Sequence, residues 1–95
     1  MEIRRTLEFD RRLKKLADAR AKARINIAVE RMEEGNFGDF KPVGGGVVEA
    51  RIHYGPGYRI YYTRLGEVLV VLLLCGDKKT QQTDIECAKA LADGL

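Results

Sequence analysis

Apolar residues recur at helical spacing through the first third of the chain and at strand spacing through the middle. Phe9, Leu13 and Leu16 stand four and three residues apart, which predicts an amphipathic helix from Leu7 to Leu16 with Arg11, Arg12, Lys14 and Lys15 around its other sides. Asp18 is placed to cap a second helix whose Ile25, Ala28, Val29 and Met32 keep the same period until Gly35-Asn36 stops it. The two form a helical hairpin. Ahead of it, Met1 to Thr6 reads as a short strand with Ile3 its best buried residue. After it, Gly35 to Gly46 is dense in glycine, Asn36, Asp39 and Pro42, and reads as a turn-rich connection studded with Phe37 and Phe40.

From Val47 the period becomes two. Val48, Ala50, Ile52 and Tyr54 alternate with Val47, Glu49, Arg51 and His53, then Gly55-Pro56-Gly57 breaks the run and Tyr58 to Arg64 resumes it. This predicts a β-hairpin in which Tyr54 pairs with Tyr58. Ile52 then faces Ile60, while His53 faces Arg59 and Arg51 faces Tyr61 on the charged side. Leu65-Gly66-Glu67 makes the next turn, and Val68 to Cys75 is apolar at every position, as a strand covered on both faces or central in a sheet requires. A last helix is expected from Thr83 or Asp84 through Ala92, with Ile85, Ala88 and Leu91 at three-residue spacing. The order of elements predicts an α+β fold of two layers, helices over one side of the sheet, in a single domain spanning 1–95.

Charge changes the picture modestly. Seventeen Lys and Arg oppose fourteen Asp and Glu, a net +3, and ten of those cations but only seven of the acids precede Gly35, so the excess lies in the first third. A basic stripe of Arg20, Lys22, Arg24 and Arg31 is more simply the wet side of its helix than a nucleic-acid footprint. Two cysteines and one histidine do not supply a standard four-ligand zinc set, and Cys75 and Cys87 read as reduced, small hydrophobes. No metal or cofactor is expected. The glycines between Gly35 and Gly46 are not followed by the lysine and hydroxyl of a phosphate-binding P-loop. The longest apolar run is too short to span a membrane, so a cytoplasmic location is expected.

The chemistry concentrates on one side of the hairpin. By the period of two, Glu49, Arg51, His53, Arg59 and Tyr61 share a face, next to a turn that carries Lys78 and Lys79. Arginine grips phosphate oxygens through two parallel hydrogen bonds, and lysine adds a mobile positive charge. Cleavage of RNA without a metal needs a base for the 2′-hydroxyl, an acid for the departing 5′-oxygen, and fixed positive charge for the phosphorane. Imidazole ordinarily titrates near neutrality, so His53 suits proton transfer. Arg51 and Arg59 suit charge stabilisation, Tyr61 can stack on a base or orient a hydroxyl, and Glu49 can hold an arginine. A wet sheet face decorated with cross-strand pairs explains the same residues without any catalysis.

The run Val48-Glu49-Ala50-Arg51-Ile52-His53-Tyr54-Gly55-Pro56-Gly57-Tyr58-Arg59-Ile60-Tyr61-Tyr62, followed by Leu73-Leu74-Cys75-Gly76-Asp77-Lys78-Lys79-Thr80-Gln81 and Asp84-Ile85, resembles the phage Gp49-like, HigB-like addiction-module killer proteins of the RelE/ParE toxin superfamily. The segment Gly35 to Gly44 matches that pattern too. The resemblance implies a twisted antiparallel sheet packed against an N-terminal helical hairpin, with a C-terminal helix. It implies the toxin of a type II toxin–antitoxin system, a ribosome-dependent mRNA endoribonuclease (mRNA interferase) that needs no metal. Its partners would be mRNA, the ribosome and a HigA-like helix-turn-helix antitoxin. By position, Arg51 and His53 fall where the superfamily places basic residues before the hairpin turn, Arg59 on the arginine beyond it, and Lys78 or Lys79 near the basic residue after the last central strand. The alternative within the same superfamily is a ParE-like gyrase inhibitor, or a degenerate member that only binds its antitoxin. The tyrosine of some RelE-type nucleases has no equivalent near Asp84.

Overall fold

The computed structural model describes residues 1–95. In chain order the elements are β1 (Glu2–Arg5), α1 (Leu7–Lys15), α2 (Ala19–Glu33), β2 (Asp39–Gly44), β3 (Val47–Ile52), β4 (Tyr58–Leu65), β5 (Leu69–Asp77), a one-turn 3-10 segment (Lys78–Thr80) and α3 (Gln81–Asp93). The strands form one sheet in the order β1-β5-β4-β3-β2. Thr6 caps α1 by accepting from the Phe9 amide, and Asp18 caps α2 by accepting from the amides of Arg20 and Ala21, so both predicted helix starts are met by side chains.

The sheet is mixed, where an antiparallel one was expected. β1 runs parallel to β5, Glu2 opposite Leu69 and Arg5 opposite Leu72, while every other neighbouring pair is antiparallel. The direction follows from the Thr6 junction. Its amide donates to the Leu72 carbonyl at 3.0 Å and its hydroxyl to the Leu73 carbonyl at 2.6 Å, which ties the start of α1 to β5. Leu73 is free to serve because it is an extra residue. Tyr61 pairs with Leu74 and Tyr62 with Leu72, so Leu73 sits in a bulge.

Helices cover both faces of the sheet, not one. On the first, Phe9, Leu13, Ile25, Val29 and Met32 from the hairpin bury against Ala50, Ile60, Tyr62, Val70 and Leu72. On the second, Ala88 with Ile85 and Leu91 of α3 covers Val47, Tyr61, Val71, Leu73 and Leu74. Each fully buried apolar side chain of this kind contributes about 1.5–3 kcal/mol. The two-sided cover explains why β5 is apolar from Leu69 to Cys75. Cys75 packs in the first cluster, and burial pushes its thiol up to about 12, which suits a small hydrophobe and not a nucleophile.

Two further corrections bear on the site. The connection 35–46 contains a strand, since β2 pairs with β3 from Asp39 opposite Arg51 to Gly44 opposite Val47. The β3–β4 register also differs from the expected one, with Arg51 opposite Arg59, Glu49 opposite Tyr61 and Ala50 opposite Ile60. A five-residue loop, 53–57, replaces the three-residue turn, because the Tyr54 amide turns back onto the Ile52 carbonyl and the Gly57 amide onto the Tyr54 carbonyl. Gly55 and Gly57 take the left-handed conformation this path demands, at φ of 56° and 85°.

Candidate functional site: a cationic cleft at the end of the sheet

The face of β3 and β4 that carries Glu49, Arg51, Arg59 and Tyr61 is the one that α3 covers. The helix lies over Glu49 and Tyr61 and leaves Arg51 partly exposed at the end of the face, with Arg59 largely covered beside it. Glu49 and Tyr61 are each 0% exposed, so the expected wet face is wet only at its end. In this arrangement Tyr61 cannot stack on a base and Glu49 cannot touch a substrate. Burial, with the nearby charges of Glu49 and Asp84, pushes the Tyr61 phenol well above its ordinary range.

Glu49 organises what lies beyond it. One carboxylate oxygen accepts from Arg51 Nε at 3.1 Å and lies 3.6 Å from Arg59 Nε. The other accepts from Gln81 Nε2, in the first turn of α3, at 2.8 Å. Burial alone would push the carboxyl up, yet hydrogen bonds from Gln81 and Arg51 and the charges of Arg59 and Arg51 outweigh it, and its pKa lies below the ordinary value. A buried anion thus sits between the roots of two guanidinium groups. Their side chains remain 31% and 11% exposed, for Arg51 and Arg59 respectively. Arg59 Nε itself is buried without a hydrogen-bond partner.

The hairpin loop completes the setting. The Gly57 carbonyl accepts both from the Lys78 amide at 3.0 Å and from Arg59 Nη1 at 3.3 Å, so one backbone oxygen joins the loop, the arginine and the 3-10 turn. Arg51, His53, Arg59 and Lys78 line a shallow cleft of about 410 Å³, together with the loop residues Tyr54 to Gly57. Lys79 does not line it. Its amide caps onto the Asp77 side chain at 2.9 Å, and the residue lies exposed on the turn.

His53 stands 75% exposed at the mouth, with Nε2 at 2.7 Å from Oδ2 of Asp39 on β2. A carboxylate only accepts, so the proton of this bond is on the imidazole Nε2. With Nε2 engaged by Asp39, Nδ1 is the ring nitrogen left to meet another molecule. Asp39 and Gln81 were missed in sequence. Asp39 lies in a segment read as a turn, and Gln81 acts through a contact 32 residues distant. Alternation from Val47 to Tyr54 was the signal that found Glu49, Arg51 and His53, although β3 ends at Ile52 and His53 opens the loop.

A second ion pair holds α3 in place over the site. Arg12 of α1 donates from Nη1 to Oδ1 of the buried Asp84 at 2.6 Å, and Thr80 donates to its Oδ2 at 2.7 Å. Asp84 reaches the sheet only because residue 76 is glycine. A Cβ there would lie 2.1 Å from Asp84 Oδ2.

The cleft is thus a cluster of permanent cations with one adjacent imidazole, on a chain whose family can now be stated. The model of the phage-derived Gp49-like proteins matches residues 11–93. The chain belongs to that family. A Haemophilus influenzae protein described only as uncharacterized is 50% identical over 95 residues, covering 100% of this chain and 96% of that protein. The Gp49-like family is associated with toxin–antitoxin modules, often as the toxin, and such a module implies an antitoxin partner. No helix of this Gp49-like protein is long and apolar enough to cross a membrane.

Proposed function

We propose that the protein is the toxin of a toxin–antitoxin pair and acts, in the manner of the HigB and RelE branches, as a metal-independent endoribonuclease on ribosome-bound mRNA. The observation that carries this reading is the buried Glu49 carboxylate between Arg51 and Arg59, which holds two guanidinium groups at the wall of a cleft that His53 and Lys78 also line. Pre-set positive charge is what a phosphorane requires, since donors already in place need no reorganisation during reaction.

The chemistry follows from these parts. The scissile phosphate lies against Arg51 and Arg59, with Lys78 on the flanking backbone. His53 accepts the 2′-hydroxyl proton at Nδ1, the 2′-oxygen bonds to phosphorus, and the bond from phosphorus to the 5′-oxygen breaks. The products are a 2′,3′-cyclic phosphate and a 5′-hydroxyl, and the departing oxygen takes its proton from solvent, to which the cleft is open.

Induction followed by sequencing of RNA 5′ ends tests this. New cuts within translated messages, lost in Arg59→Ala, are the expected result. Intact RNA accompanied by DNA breaks would overturn it in favour of gyrase inhibition. Intact RNA and DNA together with retained antitoxin binding would reduce the protein to a binding partner.

A further inference from the structure

A larger cavity, about 700 Å³, lies on the opposite face of the sheet, between α2 and the β2–β3 edge. Its helical wall is a single stripe. Arg20, Arg24, Ile27 and Arg31 follow one another at four, three and four residues, so they stack along one side of α2. None of the three arginines is paired with a carboxylate, although the chain satisfies Arg4, Arg5, Arg11, Arg12, Arg51 and Arg59 in that way. Ile27 is a large apolar side chain left 45% exposed among them. Ala28 and Ile52 continue the apolar lining towards the sheet.

We propose that this groove receives an acidic amphipathic helix of the antitoxin, with carboxylates set against Arg20, Arg24 and Arg31 and apolar residues laid over Ile27. The inference rests on the toxin–antitoxin reading for the identity of the partner that carries the helix. The stripe from Arg20 to Arg31 covers about 16 Å of helix axis, or about three turns of an occupant lying alongside. Arg24 is already held in position, its guanidinium 4.5 Å from the centre of the Tyr54 ring.

A protein helix suits the groove better than RNA does. Single-stranded RNA is gripped by aromatic rings free to stack on bases. Phe37, which lines this groove, already stacks on Tyr62 with ring centres 5.3 Å apart and carries the Arg64 guanidinium at 5.0 Å. An exposed isoleucine between arginines is instead the pattern that an amphipathic helix with acidic flanks complements. The position also has a regulatory consequence. Arg51 and His53 line both the groove and the cationic cleft, so a helix seated here lies against a guanidinium and the imidazole of the cleft, with its acidic side turned from Asp39 at the groove's edge.

The test uses the whole chain and a labelled synthetic peptide of about three to four helical turns, with glutamates spaced to meet the three arginines and leucines to meet Ile27. Fluorescence anisotropy should show binding that weakens at least about tenfold in the double variant Arg24→Glu, Arg31→Glu, and that is unchanged in Arg59→Ala. The arginines are exposed, so circular dichroism of the double variant should match the parent. Equal binding by the double variant, no binding by the parent, or loss of binding in Arg59→Ala would each overturn the proposal. So would a single-stranded RNA whose affinity depends on Arg24 and Arg31 in place of the peptide's. The assay reads neither cleavage nor growth, so its failure leaves the nuclease reading untouched, and an absence of RNA cuts leaves this one untouched.

Discussion

Replacing Glu49 by glutamine keeps its shape and removes the charge that aligns two arginines. With a neutral amide, Arg51 and Arg59 lose their shared counter-ion and swing more freely. RNA cleavage by Glu49→Gln should fall about tenfold or more, as expected when pre-set positioning is lost, while RNA binding, now opposed by one less anion, should not weaken. A general base at this position would instead show a steep change in the pH profile. Arg59→Ala should lower cleavage by about 10²–10³-fold, the usual cost of removing one donor to a developing oxyanion. His53→Gln should lower it by about 10²–10⁴-fold, the range for losing a proton-transfer group. Single-turnover cleavage of a ribosome-bound message measures all three. Glu49 also makes an acid-stability prediction. Its folded pKa lies below the ordinary value, so its contribution is present above the ordinary carboxylate range and disappears as pH falls through the folded pKa. Glu8, which hydrogen bonds to Arg11 and Arg12 hold at about 2 instead of 4.5, titrates with the same sign. The denaturation midpoint should therefore drop as pH falls from about 4.5 towards about 2, and Glu8→Gln with Glu49→Gln should flatten that slope.

Among the elements, α3 depends on one close approach. Gly76→Ala sets a methyl group 2.1 Å from an Asp84 oxygen that Arg12 and Thr80 hold in place. The bridge must break or the helix must lift. The variant should lose about 2–4 kcal/mol, in the range for disrupting a buried, hydrogen-bonded charge, and urea unfolding measures it. Cleavage should fall as well, because Gln81 would leave Glu49. The elements also show what was legible in the sequence. The first two helices were readable because Phe9, Leu13, Ile25, Val29 and Met32 mark a helical period and Asp18 caps the second, whereas the cap at Thr6 lay in a segment read as strand. β2 was not, because four of its first five residues are exposed or nearly so and its strand character comes from pairing with β3 and not from any buried face. The cover of α3 was also invisible: Glu49 and Tyr61 have the polarity of wet strand residues, and only the three-dimensional path of the chain puts a helix above them.

At the scale of the whole molecule, three cations of the cleft set the salt dependence of RNA binding. Neutralising about three phosphates of a single strand gives a log–log slope of about −2 against salt, and Arg59→Ala should reduce its magnitude by about 0.7. A filter-binding series in increasing potassium chloride checks both. The net charge in the sequence pointed at the first third of the chain, yet the cleft belongs to the last two thirds, where positive and negative residues balance. Geometry makes the difference there, burying Glu49 and leaving Arg51, Arg59 and Lys78 to line the cleft. The five-residue loop had the same effect on the site. It withdrew His53 from the ladder, so that the imidazole turned to Asp39 and did not pair across to Arg59.

That turn gives the proton-transfer group an unusual mooring. Asp39 begins the outermost strand, where Pro42 offers no amide and the outer edge has no neighbour. Such a strand frays on a short timescale, and its amides should exchange with deuterium faster than those of β4 or β5. Each opening would cast off the imidazole, so the lifetime of the aligned ring would be that of the least secured β segment. A disulfide-free staple there, such as a β-branched residue replacing Lys41, should slow exchange and raise the fraction of time that His53 spends poised.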